Sequence, residues 1–91
     1  MSYMLCYNKV KDYKKWRKIF NLHKNEHIKA GLILTSIYRD TSNPNDVHFI
    51  FKIKEIEKAN EFLSDPIHEK IGIEAGVIEG TIKYLDEVEG Y

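Results

Sequence analysis

Apolar residues change their spacing several times along this chain, and each change marks an element. From Tyr3 to Val10 (YMLCYNKV) they crowd into a short β-prone run that predicts a first strand. Tyr13, Trp16, Phe20, His23, His27 and Ala30 then recur at steps of three and four, one stripe of a single amphipathic helix. Asp12 stands at its N-cap and Gly31 where a left-handed residue would end it. LILTSIYR (32–39) reads as a second strand with apolar groups at odd and even positions, so both faces are expected to be covered. A turn over 40–46, with Pro44 and Asn45, leads into VHFIFKIK (47–54). This third strand alternates, placing Val47, Phe49, Phe51 and Ile53 on one side. Residues 55–64 predict a helix with Ile56, Ala59 and Leu63 on one face. Asp65-Pro66 can cap and start a short further helix, which Gly76 stops. EGTIKYLDEV (79–88) closes the pattern as a fourth strand, with Ile82, Tyr84 and Val88 on one side.

This order is β-α-β-β-α-β, a ferredoxin-like α+β fold with an antiparallel sheet, read as one domain over residues 1–91. Helices would cover one sheet face. The other keeps apolar groups on the second and third strands, and a contiguous exposed apolar face marks an interface. A homodimer formed through the open sheet face is therefore expected.

Composition narrows the setting. One cysteine, Cys6, allows no internal disulfide. No apolar run approaches the roughly 18 residues of a membrane span, and no basic region followed by an apolar run marks a secretory signal. A cytoplasmic protein with no membrane partner is the expectation. Net charge is zero but divided. Residues 1–54 carry 11 Lys/Arg against 4 Asp/Glu, a balance of +7, and residues 55–91 carry 3 against 10, a balance of −7. The basic helix could hold phosphate, but the acidic half would repel the same phosphates, so no nucleic-acid partner is expected.

The candidate chemistry centres on HKNEH (23–27), which has the H-x-x-E-H spacing of an inverted zinc-protease helix. His23 and His27 share a helix face, but zinc needs at least a third ligand and none stands at signature spacing. No metal is expected. Both histidines continue the inward stripe of Tyr13, Trp16 and Phe20. They are either satisfied core groups or the polar members of a pocket, and a pocket accounts for two successive inward histidines with fewer buried unpaired nitrogens.

The pattern D-Y-x-x-W-x-x-x-F-x-x-H is present as Asp12, Tyr13, Trp16, Phe20 and His23. It is followed by Ala30-Gly31, Arg39-Asp40, Asn43-Pro44-Asn45, Phe51, Ala59, Phe62 and Ala75-Gly76-Val77. Over nearly its whole length the chain resembles the dimeric α+β barrel superfamily, and within it the small antibiotic-biosynthesis-monooxygenase-like proteins, some of them labelled cyclases. The resemblance implies a dimer through the open sheet faces and a pocket in each protomer between sheet and helices. It also implies oxygenation without a cofactor, of aromatic or quinol-like substrates that supply their own electrons. Haem-degrading members use an Asn in the first strand, a Trp in the second helix and a later His ligand. Here Asn8 matches the first, but Phe62 stands in place of the Trp, and Ile71 or Gly72 in place of the His.

On that resemblance His23 is the expected catalytic base, since histidine transfers protons near neutral pH. His27 and Asn8 would position a substrate oxygen, and Trp16, Phe20 and Phe62 would form apolar walls. The expected partner is a small-molecule ligand. The alternative is a non-enzymatic dimer that binds an apolar ligand or serves a structural or sensing role. A ligand-sized cavity under the first helix would favour the former, and an interface filled by side chains the latter.

Overall fold

A computed structural model describes residues Met1–Tyr91, in the order β1 (Ser2–Val10), α1 (Tyr13–Leu22), α2 (Lys24–Lys29), β2 (Leu32–Arg39), β3 (Asp46–Ile53), α3 (Ile56–Ser64), α4 (Pro66–Glu74) and β4 (Val77–Asp86). The strands form one antiparallel sheet of order β2-β3-β1-β4, so β1 and β3 are central and β2 and β4 are edges. This is the expected ferredoxin-like α+β arrangement. No helix is long and apolar enough to cross a membrane.

The period-2 pattern of β3 sets the core. Val47, Phe49, Phe51 and Ile53 are all buried on the helix-bearing face. Residues paired directly across strands share a face, so Met4 opposite Phe51 and Cys6 opposite Phe49 join them. Trp16 and Ile19 from α1, Ala59 from α3 and Ala75 beyond α4 close the same cluster. Capping follows the sequence. The Asp12 carboxylate accepts from the Lys14 N–H at 3.0 Å, and Asp65 accepts from the Ile67 N–H at 3.0 Å with Pro66 at the first helical position. Gly31 and Gly76 end α2 and α4 at φ 73° and 77°, a region that costs other residues strain.

Four expectations need correction. The long first helix is two, because the backbone leaves helical geometry at His23 (φ −100°, ψ 17°), whose N–H reaches back only to Phe20 in a tighter turn. The bend lets the stripe follow a twisted sheet that one straight helix would leave. Within that stripe Ile19 is also buried, and Tyr13 lies at the rim beneath the Arg39 guanidinium, 3.9 Å from its ring centre. Strand β2 is not covered on both faces: it is an edge, and Ile33, Leu34 and Tyr38 are exposed within the single chain. Its register slips between Leu34 and Ser36, a bulge at Thr35 that returns Leu34 and Ile37 to the same face, opposite Phe51 and Phe49. Ile56 lies in the first turn of α3 and is exposed, leaving Ala59, Phe62 and Leu63 as the inward residues of that helix. Finally, β4 begins at Val77, immediately after the Gly76 turn, and ends at Asp86, so Val88 lies outside it and is exposed.

Away from the helices, the register brings Tyr3, Leu5 and Tyr7 of β1 together with Ile50 of β3, Ile33 and Tyr38 of β2, and Leu85 of β4. Lys52, Lys83 and His48 are interspersed on the same face. A second copy of the chain is the proposed cover. Light scattering at about tens of micromolar, above the dissociation constants of stable dimers, is expected to give twice the chain mass. Ile50→Lys should leave a folded monomer, since an unpaired ammonium buried at such an interface is costly. A monomeric wild type would remove the dimer from the account.

Candidate functional site

Between the helix-bearing face of the sheet and the helices lies a cavity of about 420 Å³. All six residues singled out from the sequence line it: Asn8, Trp16, Phe20, His23, His27 and Phe62. Its walls are chiefly apolar, with a few polar groups, the usual make-up of a small-molecule site.

Trp16 anchors one end. It is almost fully buried, stacked on Phe20 at 4.8 Å and tilted against Phe49 at 5.4 Å. A buried indole N–H needs an acceptor. Asn8 on the neighbouring strand supplies it: the amide oxygen accepts from Trp16 Nε1 at 3.1 Å, and the amide nitrogen donates to the Tyr7 carbonyl at 2.9 Å. The amide proposed for substrate contact is thus already engaged within the protein. Gly80 faces Asn8 across the β1–β4 pair, and a Cβ there would stand 2.9 Å from the end of that amide. A side chain at residue 80 would press on the amide nitrogen that bonds the Tyr7 carbonyl, and Asn8 would have to shift.

His27 occupies the middle. Its ring lies among Phe20 at 4.8 Å, Phe51 at 5.2 Å and Phe62 at 5.7 Å. Burial among these rings, together with the neighbouring His23, lowers its pKa from 6.5 to about 4. Near neutral pH it is an uncharged imidazole. His23 stands where α1 gives way to α2, and its Nδ1 is buried without a hydrogen-bond partner. Glu26 Oε1 stands 3.4 Å away without completing a hydrogen bond to it. The Glu26 carboxyl is held below its usual range by its own backbone N–H first, and by His23 after it. The HKNEH histidines are therefore turned to a carboxylate and to aromatic rings, and no three His, Cys, Asp or Glu side chains stand together as a metal-holding group.

The opposite wall of the cavity was not anticipated from the sequence. His68, Ile71 and Gly72 of α4 and its C-cap Ala75 fall on one stripe at i, i+3, i+4 and i+7, and all four line the cavity. That spacing was available in the sequence, but weakly, because Ile67 and Ile73 blur the stripe and both are exposed. His68 meets the Phe62 edge at 5.2 Å, and burial lowers its pKa. From β1, Cys6 also borders the space, and burial pushes its thiol up to about 12, leaving it protonated and unreactive. Tyr84 lies on the same face of β4 and donates to Asn60 Oδ1 at 2.6 Å. Arg39 and Asp40 serve the turn instead of each other. Arg39 Nε donates to the Pro44 carbonyl, and Asp40 accepts from the Ser42 and Asn43 N–H groups.

No family model matches the chain, and no curated protein does. Solved structures do. A candidate antibiotic biosynthesis monooxygenase from Bordetella bronchiseptica superposes with a TM-score of 0.76 at 8% identity over 97% of both chains. One from Caulobacter crescentus gives 0.74 at 14% identity, over 97% of this chain and 90% of its own. An uncharacterized NIPSNAP domain protein from Burkholderia xenovorans gives 0.69 at 13% identity, over 97% and 95%. The chain thus has the fold of the antibiotic-biosynthesis-monooxygenase-like structures across nearly its whole length.

Two outcomes follow from this geometry. Asn8→Ala strands the Trp16 N–H in an apolar setting and should cost about 1–3 kcal/mol in urea unfolding. A loss below about 0.5 kcal/mol would mean that the pair does not hold the site. The second concerns acid. With its folded pKa depressed, neutral His27 contributes stability that is complete above 6.5 and is lost as pH falls through about 4. Melting temperature should therefore drop less across that window in His27→Phe than in wild type, with His68 leaving a residual slope of the same sign.

Proposed function

We propose that this chain binds, and oxidises without a metal or organic cofactor, a small aromatic or quinol-like molecule held between α1, α2, α4 and the sheet. The observation that carries this reading is the cavity of about 420 Å³ with His23 and His27 on its lining. A purely structural dimer has no use for such a space, since unfilled apolar volume costs stability. The fold shared with antibiotic-biosynthesis-monooxygenase-like structures adds to it.

In this reading His23 accepts the proton of a substrate hydroxyl, and the resulting phenolate gives its electrons to dioxygen more readily than the phenol would. One oxygen atom becomes a ring carbonyl, and the other leaves as water with two hydrogens, the hydroxyl proton taken up by His23 and the single hydrogen of the oxidised ring carbon. His27 stays neutral and orients the hydroxyl, while Trp16, Phe20 and Phe62 hold the ring. Asn8 acts through Trp16, fixing the wall against which the ring lies. Both sheet-face partners of a dimer would carry one such site.

Hydroxylated naphthalenes and quinols would be screened by thermal shift and oxygen uptake, and each hit repeated on His23→Phe. The expected outcome is a folded variant of unchanged oligomeric state whose turnover falls by about a hundredfold or more, the scale of a lost general base. Turnover unchanged in His23→Phe would remove that residue from the chemistry. Binding without oxygen uptake in wild type would favour a ligand carrier instead.

A further inference from the structure

Gly72 has no folding reason to be glycine. It lies inside α4, where glycine is the least favourable residue after proline. It is not among the positive-φ glycines, which are Gly31 and Gly76. Nothing crowds it either: a Cβ built there meets no atom within 4 Å. Yet it belongs to the inward stripe of the helix, flanked by His68, Ile71 and Ala75, and it borders the cavity. An inward helix position ordinarily carries a large apolar side chain that fills the space before it. Here the space is left free. Gly80 makes a useful contrast, since its missing side chain is explained by the Asn8 amide 2.9 Å away.

The lining also limits what can occupy that space. It contains no lysine or arginine, and Glu69 is its one carboxylate. His27, ringed by Phe20, Phe51 and Phe62, carries no charge near neutral pH. An anion would find no fixed countercharge within, and burying one unpaired is costly.

We propose that Gly72 is the size filter of the site, keeping the α4 wall open for one end of a flat, uncharged aromatic ligand. This rests on the reading of the cavity as a ligand site. The filter makes a demand that the reading alone does not, namely that a side chain at residue 72 should stabilise the protein and exclude the ligand together.

The test uses Gly72→Ala and Gly72→Leu, with 1-naphthol as the neutral probe and naphthalene-1-sulfonate as its anionic counterpart. Without ligand, Gly72→Ala should melt about 4–8 °C above wild type at equal protein concentration, the shift expected when a helical glycine becomes alanine in a domain this size. Wild type should bind 1-naphthol by calorimetry, Gly72→Leu at least tenfold more weakly, and neither should bind the sulfonate. A lower melting temperature in Gly72→Ala would overturn the proposal by showing that the space is not free. Equal naphthol binding by wild type and Gly72→Leu would overturn the filter while leaving the site standing. Sulfonate binding as tight as that of naphthol would overturn the restriction to uncharged ligands. A wild type that binds neither probe would sink the reading of the site and the filter with it.

Discussion

One hydrogen bond organises this protein. The Trp16 indole is too large and too buried to be left with an unpaired N–H, and its acceptor must come from the sheet. Asn8 provides it from a central strand, and through it α1 is tied to β1 at a fixed height and rotation. The orientation of the stripe follows. With Trp16 pinned, Phe20 lies against Phe49 and Phe51, and the bend at His23 carries His27 onward over Phe51. A glycine opposite Asn8 is the corollary on the other strand, because the amide needs that room.

Helices held this way cover the sheet without filling the space beneath them. The α1–α2 side is densely aromatic. On the α4 side, Gly72 and Ala75 border the space with little side chain of their own, and a Cβ at residue 72 would meet no atom within 4 Å. The cavity is the difference between the two sides. Its imidazoles come from the α1–α2 junction (His23), from α2 (His27) and from α4 (His68), so the fold, and not the HKNEH segment alone, brings them together.

Much of this was legible in the sequence, because period and punctuation are local. Asp12, Gly31, Asp65-Pro66 and Gly76 each mark an end through their own backbone or side-chain chemistry, and alternation in β3 reports its buried face directly. The stripe from Tyr13 to Ala30 identified one wall of the cavity for the same reason. What failed was non-local. Whether β2 is central or an edge depends on strand order, which periodicity does not encode. The bend at His23 answers to the curvature of the sheet beneath it. The α4 wall was missed because a glycine and an alanine give no hydrophobic signal, and empty volume leaves no residue to read. The engagement of Asn8 by Trp16 joins positions on two elements, and no spacing rule connects them.

The bulge in β2 has a consequence for how copies of this chain can meet. An edge strand is a template on which another chain can add backbone to backbone, and the addition can repeat without limit. At Thr35 that template is interrupted, and the hydroxyl bonds to the Ile50 carbonyl within the same sheet at 3.0 Å. The extra residue also sharpens the local twist, so a straight incoming strand loses register halfway along. Strand-by-strand growth is obstructed at that edge, while the face of the sheet stays open. The proposed second copy would thus meet an open face rather than an unbroken β2 edge, a contact that closes as a pair instead of a filament.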